Sequence, residues 1–297
     1  MLKYRFTSRH LTMRRYGRLT TAFWMYFCGL LLPLVAHTQE VSPSGYEPPQ
    51  FRTLVETSAP ALPDGTEVRL IADADFAPFS FISASGAPAG LSIELSLAAC
   101  TELKIRCTVT ALPFDAVIPA LQSGEGDVVV TGPRLTEETL RATAMTRPYF
   151  RIMGRFAVQS GSALKAADFG SLTGRRIGVV KDTLHAQWLE AYYGRSDIIP
   201  FEDGKAAGEA LRTGGIDTLF GDNLAMIYWV SGQVAANCCR VLDGAFSDFD
   251  HFSRNLAFLV RRDRPDLRAA FDYGLDMAQK NGTTAKIIKA YVPLSPW

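Results

Sequence analysis

The stretch "FDAVIPALQSGEGDVVVTG", Phe114–Gly132, sets the fold class. Its first half reads as a helix stopped by a glycine, and "GDVVVTG" reads as a short buried strand. The same alternation holds upstream. "EVRLIA" (Glu67–Ala72) is strand-like, "LSIELSLAACTEL" has helical spacing and "CTVTAL" is rich in β-formers. Strands alternating with helices predict parallel βαβ units, with ligand crevices at the carboxyl ends of the strands.

Near Gly154 the pattern restarts. "GRFAVQSGS" is strand-like and leads to a fresh βα unit in "LTGRRIGVVKDTLHAQWLEAYY", then to helix, strand and helix in "AAGEALRTGGIDTLFGDNLAMIYWVSG". After a polar stretch a second strand-like piece appears, "NLAFLVRRD", and the chain ends in two amphipathic helices broken at Asn281-Gly282. Two crossing segments, "RFAVQ" and "LAFLVRR", bracket an inserted α/β block. The expectation is an α/β chain of two lobes, each a mostly parallel sheet flanked by helices, joined by two hinge strands. Residues 66–155 and 251–297 build one lobe and residues 156–250 the other, with a cleft between them.

The chain has 297 residues, 47% hydrophobic and 21% charged, which is ordinary globular material and enough for two lobes. Its first 38 residues read differently. Lys3, Arg5, Arg9, Arg14, Arg15 and Arg18 precede the first acidic residue, Glu40, and the apolar run "AFWMYFCGLLLPLVA" (Ala22–Ala36) follows them. That run falls short of the roughly 20 residues that span a bilayer but suits an export signal, with cleavage after Ala36 or Thr38. An uncleaved anchor is the alternative. Residues 39–65 carry five prolines and read as a linker or a surface arm. Six of the 31 basic residues lie in the export segment, which leaves the remainder near −5 against 30 acidic residues. This balance argues against a nucleic-acid partner, and no basic amphipathic helix suggests a membrane-surface role.

Cys100, Cys107, Cys238 and Cys239 remain after the export segment, and an oxidising compartment permits disulfides. "CTELKIRC" brings Cys100 and Cys107 from a helix end to the next strand start; a bridge and two free buried thiols are both open. For the adjacent pair in "NCCR", a vicinal disulfide, two free thiols and pairing between chains all stand.

The order of these pieces resembles the family 3 extracellular solute-binding proteins, periplasmic receptors for polar amino acids with the two-lobed type II binding-protein fold. The markers run in order from about residue 66 to 295: "ADADFAPFSF", "GLSIELSLAAC", "FDAVIPALQSGEGDVVVTG", "LTEETLRATAMTRPYF", "LTGRRIGVVKDT", "GGIDTLFGDNLA" and "RRDRPDLRAAFDYGLDMAQKNGTTAKIIKAYV". The resemblance implies a Cys100–Cys107 disulfide, closure of the lobes around a small-molecule ligand, and delivery to an inner-membrane ABC-type permease by a monomeric periplasmic receptor. It implies no cofactor and no metal. The alternative is a sensor or an accessory to another periplasmic complex using the same fold.

The resemblance also assigns roles. Phe76 takes the aromatic position that packs on the ligand, with Asp73 just before it. Thr131 and Gly132 take the polar loop that donates to an α-carboxylate. Asp222 takes the ammonium-binding position, and Thr183 lies at a helix N-terminus that favours an anion. The pattern breaks where the family's carboxylate-binding Arg is expected, because Thr139 stands there. Arg141, two positions along a helix, points about 200° away, so Arg134 in the loop is the candidate substitute. Each assignment has a plainer counterpart: a helix cap for Asp222 and Thr183, core packing for Phe76, turn contacts for Asp73 and Thr131, a solvated loop for Arg134. His185 and His251 have no partner at metal-ligand spacing and read as structural, and Tyr228 and Trp229 read as core. The chain shows no Gly-x-Ser-x-Gly elbow, paired-histidine metal motif, Walker loop or Rossmann fingerprint, so an enzyme is not expected. A free α-carboxylate without its Arg loses a charge-assisted bond worth roughly 1.5–3 kcal/mol. The sequence therefore leans toward a small cationic or amine-bearing metabolite held by Asp222 and Phe76.

Overall fold

Ser58, residues 60–132 and residues 136–297 are described by the computed structural model. The export segment, most of the 39–65 arm and Arg134 lie outside the described residues. The strands fall into two five-stranded sheets. The first runs in the order Arg106–Leu112, Glu67–Asp73, Val128–Val129, Leu259–Arg261, Thr143–Met145. Its first three strands are parallel and Leu259–Arg261 is antiparallel to both its neighbours. The second sheet runs Asp197–Phe201, Arg176–Val180, Thr218–Asp222, Gly154–Gln159, Cys239–Val241. Again three strands are parallel, and Gly154–Gln159 runs antiparallel to those on either side. This is the mostly parallel, two-lobed α/β architecture that the alternation predicts.

The valine run at 128–130 shows why a central strand reads as continuous apolar sequence. Val128 and Val130 point into one core, with Leu70, Leu91, Leu95 and Phe271, while Val129 points into another, with Ile71, Val117 and Leu121. Helices cover both faces, so period-2 alternation of polarity is lost. Helix Phe114–Ser123 ends at Gly124, whose left-handed φ of 78° gives the glycine stop. Cys100 and Cys107 are bonded, joining the end of helix Leu91–Leu103 to the start of the Arg106–Leu112 strand; Cys238 and Cys239 are bonded to each other.

The crossing between the sheets is made elsewhere than the apolar runs suggest. "RFAVQ" lies wholly inside the second sheet, and "LAFLVRR" touches the crossing only at Leu256 before it enters the first sheet through Leu259–Arg261. The joining pair is a short antiparallel ribbon, Phe150–Ile152 with Arg254–Leu256, in the register Arg254↔Ile152, Asn255↔Arg151, Leu256↔Phe150. The C-terminal segment straps this hinge. Asn223 Nδ2 donates to the Pro296 carbonyl at 2.8 Å, the Arg155 guanidinium donates to the Ser295 carbonyl, and the Trp297 ring packs on Phe150 with centroids 5.3 Å apart. Leu224 and Ile227, on a second-lobe helix, also join the first lobe's core.

Candidate ligand cleft

A cavity of about 1100 Å³ lies between the lobes, floored by the hinge ribbon through Ile152, Arg254 and Leu256. Its first wall is a small three-stranded loop structure, Asp75–Phe76, Ser80–Ile82 and Pro88–Ala89, with a cis Ala77-Pro78 peptide at its tip. The loop is clamped onto helix Leu91–Leu103: the free N–H groups of Leu91 and Ser92 donate to the Pro78 and Phe79 carbonyls, both at 2.9 Å. Gly90 permits this approach, because a Cβ there would sit 2.3 Å from the Phe79 carbonyl oxygen. Phe76 is thereby presented to the cleft, its ring stacked on Phe79 at 5.2 Å, which in turn meets Phe150 edge-on at 5.2 Å. Gly132 leaves room beside it; a Cβ there would be 3.0 Å from Leu256 and 3.6 Å from the Phe76 ring.

The second wall is polar at its root. Asp222 ends strand Thr218–Asp222 and caps helix Asn223–Ser231, its Oδ1 accepting from Leu224 N at 2.9 Å and Ala225 N at 3.1 Å. Burial pushes the Asp222 carboxyl up from its ordinary range, and those two N–H groups and the Arg254 charge pull it partly back. Oδ2 accepts no hydrogen bond from a described residue, so the carboxylate holds acceptor capacity at the edge of the cleft.

Of the sequence candidates, Phe76, Gly132 and Asp222 line the cleft, and Asp73, Thr131 and Thr183 do not. Asp73 accepts from Asp75 N at 3.0 Å, closing a local turn. Thr131 is buried, its hydroxyl accepting from Ser80 Oγ at 3.3 Å. The Thr183 hydroxyl caps helix Leu184–Tyr192, accepting from Ala186 N at 3.2 Å while donating to the Val180 carbonyl at 2.7 Å. The Thr183 hydroxyl is thus committed as both donor and acceptor, whereas the Thr131 hydroxyl is an acceptor buried away from the cleft lining. Thr139 is buried and its carbonyl accepts from Thr143 Oγ1.

Several cleft residues escaped the sequence reading. Tyr228, which the sequence reads as core, lines the cleft and is 39% exposed, and its hydroxyl donates to the Tyr291 carbonyl at 2.6 Å. Phe114, Met145 and Phe249 line it too, all substantially exposed. Arg254 supplies a positive charge on the hinge itself. The signal available for it was position: an Arg beginning the strand that returns to the first lobe. Of the histidines, His251 meets Asp248 at 3.0 Å and His185 stacks on Phe252 with centroids 4.6 Å apart. Among the described residues no group of three His, Cys, Asp or Glu side chains is placed to hold a metal ion, and no helix is long and apolar enough to cross a membrane.

Comparison with known proteins agrees with this geometry. Residues 68–293 match the model of the bacterial extracellular solute-binding proteins, family 3. The ABC transporter arginine-binding protein 1 of Escherichia coli (strain K12) is 27% identical over 220 residues, covering 74% of this chain and 88% of that one. Among solved structures, substrate binding domain 2 of Lactococcus lactis GlnP, in its open conformation, superposes with a TM-score of 0.64 at 22% identity, over 79% of this chain and 99% of that one. An ancestral cyclohexadienyl dehydratase superposes with a TM-score of 0.65 at 16% identity, over 77% and 93% of the two chains, a likeness of fold alone. A hinged pair of sheets, a cleft with an aromatic wall and a carboxylate, and a family match over most of the chain carry one conclusion: this protein belongs to the bacterial extracellular solute-binding proteins, family 3.

Proposed function

We propose that this protein is a non-catalytic receptor that closes on a small amine-bearing, amino-acid-like solute and delivers it to an inner-membrane ABC-type importer, the first 38 residues directing it to the periplasm. The carrying observation is the half-buried Asp222 carboxylate at the cleft edge, with one oxygen uncommitted, in the cavity that Phe76 also lines. An ammonium group placed there gains a charge-assisted hydrogen bond of roughly 1.5–3 kcal/mol and favours the ionised carboxylate against the opposing effect of burial. The solute's carbon skeleton then lies on the Phe76–Phe79 stack. Closure about the ribbon shuts out water and strengthens both contacts. The arginine-binding relative and the family match favour an amino-acid-like solute and an ABC importer as the recipient.

The test is a thermal-shift screen of the exported chain against amino acids, amines, opines and small organic acids. At a hundred times its dissociation constant a true ligand adds about 2.7 kcal/mol, a rise of about 5–10 °C for a domain of this size. A flat response across the screen would remove the receptor reading.

A further inference from the structure

The charges that line the cleft do not match a simple cation site. Among the described lining residues Asp222 is the sole carboxylate and Arg254 the sole cationic side chain. Arg254 sits in the hinge ribbon opposite Ile152, and the period-2 geometry of a strand puts Ile152, Arg254 and Leu256 on the face toward the cavity. The neighbouring Asn255 is committed, accepting from Arg151 Nε at 2.9 Å across the ribbon. The Arg254 guanidinium makes no hydrogen bond or salt bridge to a described residue. It is near enough to Asp222 and His185 to influence both electrostatically, yet bonded to neither.

An unpaired guanidinium is tolerable while the cleft is wet. Once the lobes close and water leaves, it must find an anion, because stranding one buried charge costs several kcal/mol, more than a formed pair returns. Asp222 cannot serve both Arg254 and a ligand ammonium without leaving one charge unmatched. Among the described residues the remaining walls carry no second acid for a distal cationic group. They offer Phe76, Phe114, Met145, Tyr228 and Phe249 instead.

We propose that Arg254 takes the carboxylate of the ligand, replacing from the hinge the arginine that Thr139 displaces on the first lobe, and that the ligand is a zwitterion whose side chain is uncharged and largely apolar. This rests on the reading of the cleft as an amine-binding receptor site. The planar guanidinium suits a bidentate grip on a carboxylate, and its place on the ribbon lets it hold the ligand independently of how far either lobe has swung.

The experiment is titration calorimetry of wild type, Arg254→Gln and Arg254→Lys with four amino acids, L-leucine, L-phenylalanine, L-lysine and L-arginine, and with their decarboxylated amines, isopentylamine, 2-phenylethylamine, cadaverine and agmatine. Circular dichroism and melting temperature establish that the variants are folded. The expected result has leucine or phenylalanine binding most tightly, and the matching amine at least tenfold more weakly. Arg254→Gln should abolish that preference, binding the amino acid at least tenfold more weakly than wild type does and the amine no more weakly, with Arg254→Lys in between. Tightest binding of lysine or arginine, or an Arg254→Gln variant that still prefers amino acid over amine, overturns the proposal and leaves the amine-receptor reading standing. If none of the eight compounds binds wild type, the proposal and the receptor reading fall together.

Discussion

The two walls of the cleft solve one problem in opposite ways. Each abuts the N-terminus of a helix, whose first N–H groups need acceptors. On the first wall the acceptors are backbone carbonyls, Pro78 and Phe79, so the loop is welded to helix Leu91–Leu103 and offers the cavity the apolar side chains of Phe76, Ala77, Pro78 and Phe79. On the second wall the acceptor is a side chain, Asp222, and the wall keeps a carboxylate oxygen in reserve. The first wall is thus fixed by sterics and offers shape; the second is fixed by hydrogen bonds and offers charge. A ligand that satisfies both has an apolar face and an ionic end.

The largest effect should come from breaking the first wall at its closest contact. Gly90 has φ +132°, and a Cβ would fall 2.3 Å from the Phe79 carbonyl oxygen. Gly90→Ala should therefore cost about 3 kcal/mol or more, combining a backbone conformation disfavoured for L-residues with overpacking. Chemical denaturation reads this directly, and a cost below about 1 kcal/mol would show that the loop is not welded as described.

On the second lobe the sensitive group is His185, whose Nε2 is sealed from solvent without a partner while the ring stacks on Phe252. Burial, and then the Arg254 charge, lower its pKa to about 4. The unfolded imidazole titrates near 6.5, so between these values the unfolded chain binds the proton that the native one refuses. Stability contributed by the neutral ring is full above pH 6.5 and drains away as pH falls toward 4. The partly exposed ring keeps some hydration, which makes the loss on the order of 2 kcal/mol. His185→Phe should flatten the melting-temperature profile across that window; parallel profiles for the two proteins would exclude His185 as the source.

Asp222→Asn isolates charge from capping. Asparagine caps a helix about as well as aspartate, so the melting temperature should barely move while affinity for an amine-bearing ligand falls more than tenfold. Because the folded carboxyl titrates above its ordinary range, wild-type affinity for the amine should also decline on acidification earlier than an exposed aspartate would allow. Equal affinities for wild type and variant would take Asp222 out of the site and leave the second wall a helix cap only.

The same contrast decides what the sequence could reveal. Asp222, Phe76 and Gly132 were readable because a strand end, a helix start and an aromatic loop are local patterns with local causes. Thr131 and Thr183 carry the right chemistry at the right strand ends, but Thr131 is buried behind the cleft lining and the Thr183 hydroxyl is consumed by the Val180–Ala186 turn. No local pattern tells a spent hydroxyl from a free one. The hinge was placed too far along the chain because apolar runs mark where a strand is buried in a sheet, and a ribbon of three residues a side needs no such run. Arg254 was invisible for a related reason. Its facing is set by pairing with residue 152, about a hundred positions away, within a stretch whose composition reads simply as polar.

The smallest effect probes how the walls communicate. Tyr228, on the second-lobe helix, donates to the Tyr291 carbonyl, and Tyr291 in turn donates from its own hydroxyl to Glu94 on the first-lobe helix. This relay ties the lobes at their present separation, one at which Phe114, Met145 and Phe249 are still exposed. Burying a ligand among those side chains requires the lobes to come together, and a bond suited to the present separation opposes that movement. Tyr228→Phe removes one hydrogen bond, worth about 1 kcal/mol, and leaves a helix-end carbonyl free to take water in its place. Melting should fall by about 2–4 °C, while affinity for the ligand rises by up to about fivefold as the open form loses its tie. Small-angle scattering of the unliganded variant should show a larger share of compact molecules. Lower melting with unchanged affinity would mean that the relay persists through closure, and the two walls would then move without reference to it.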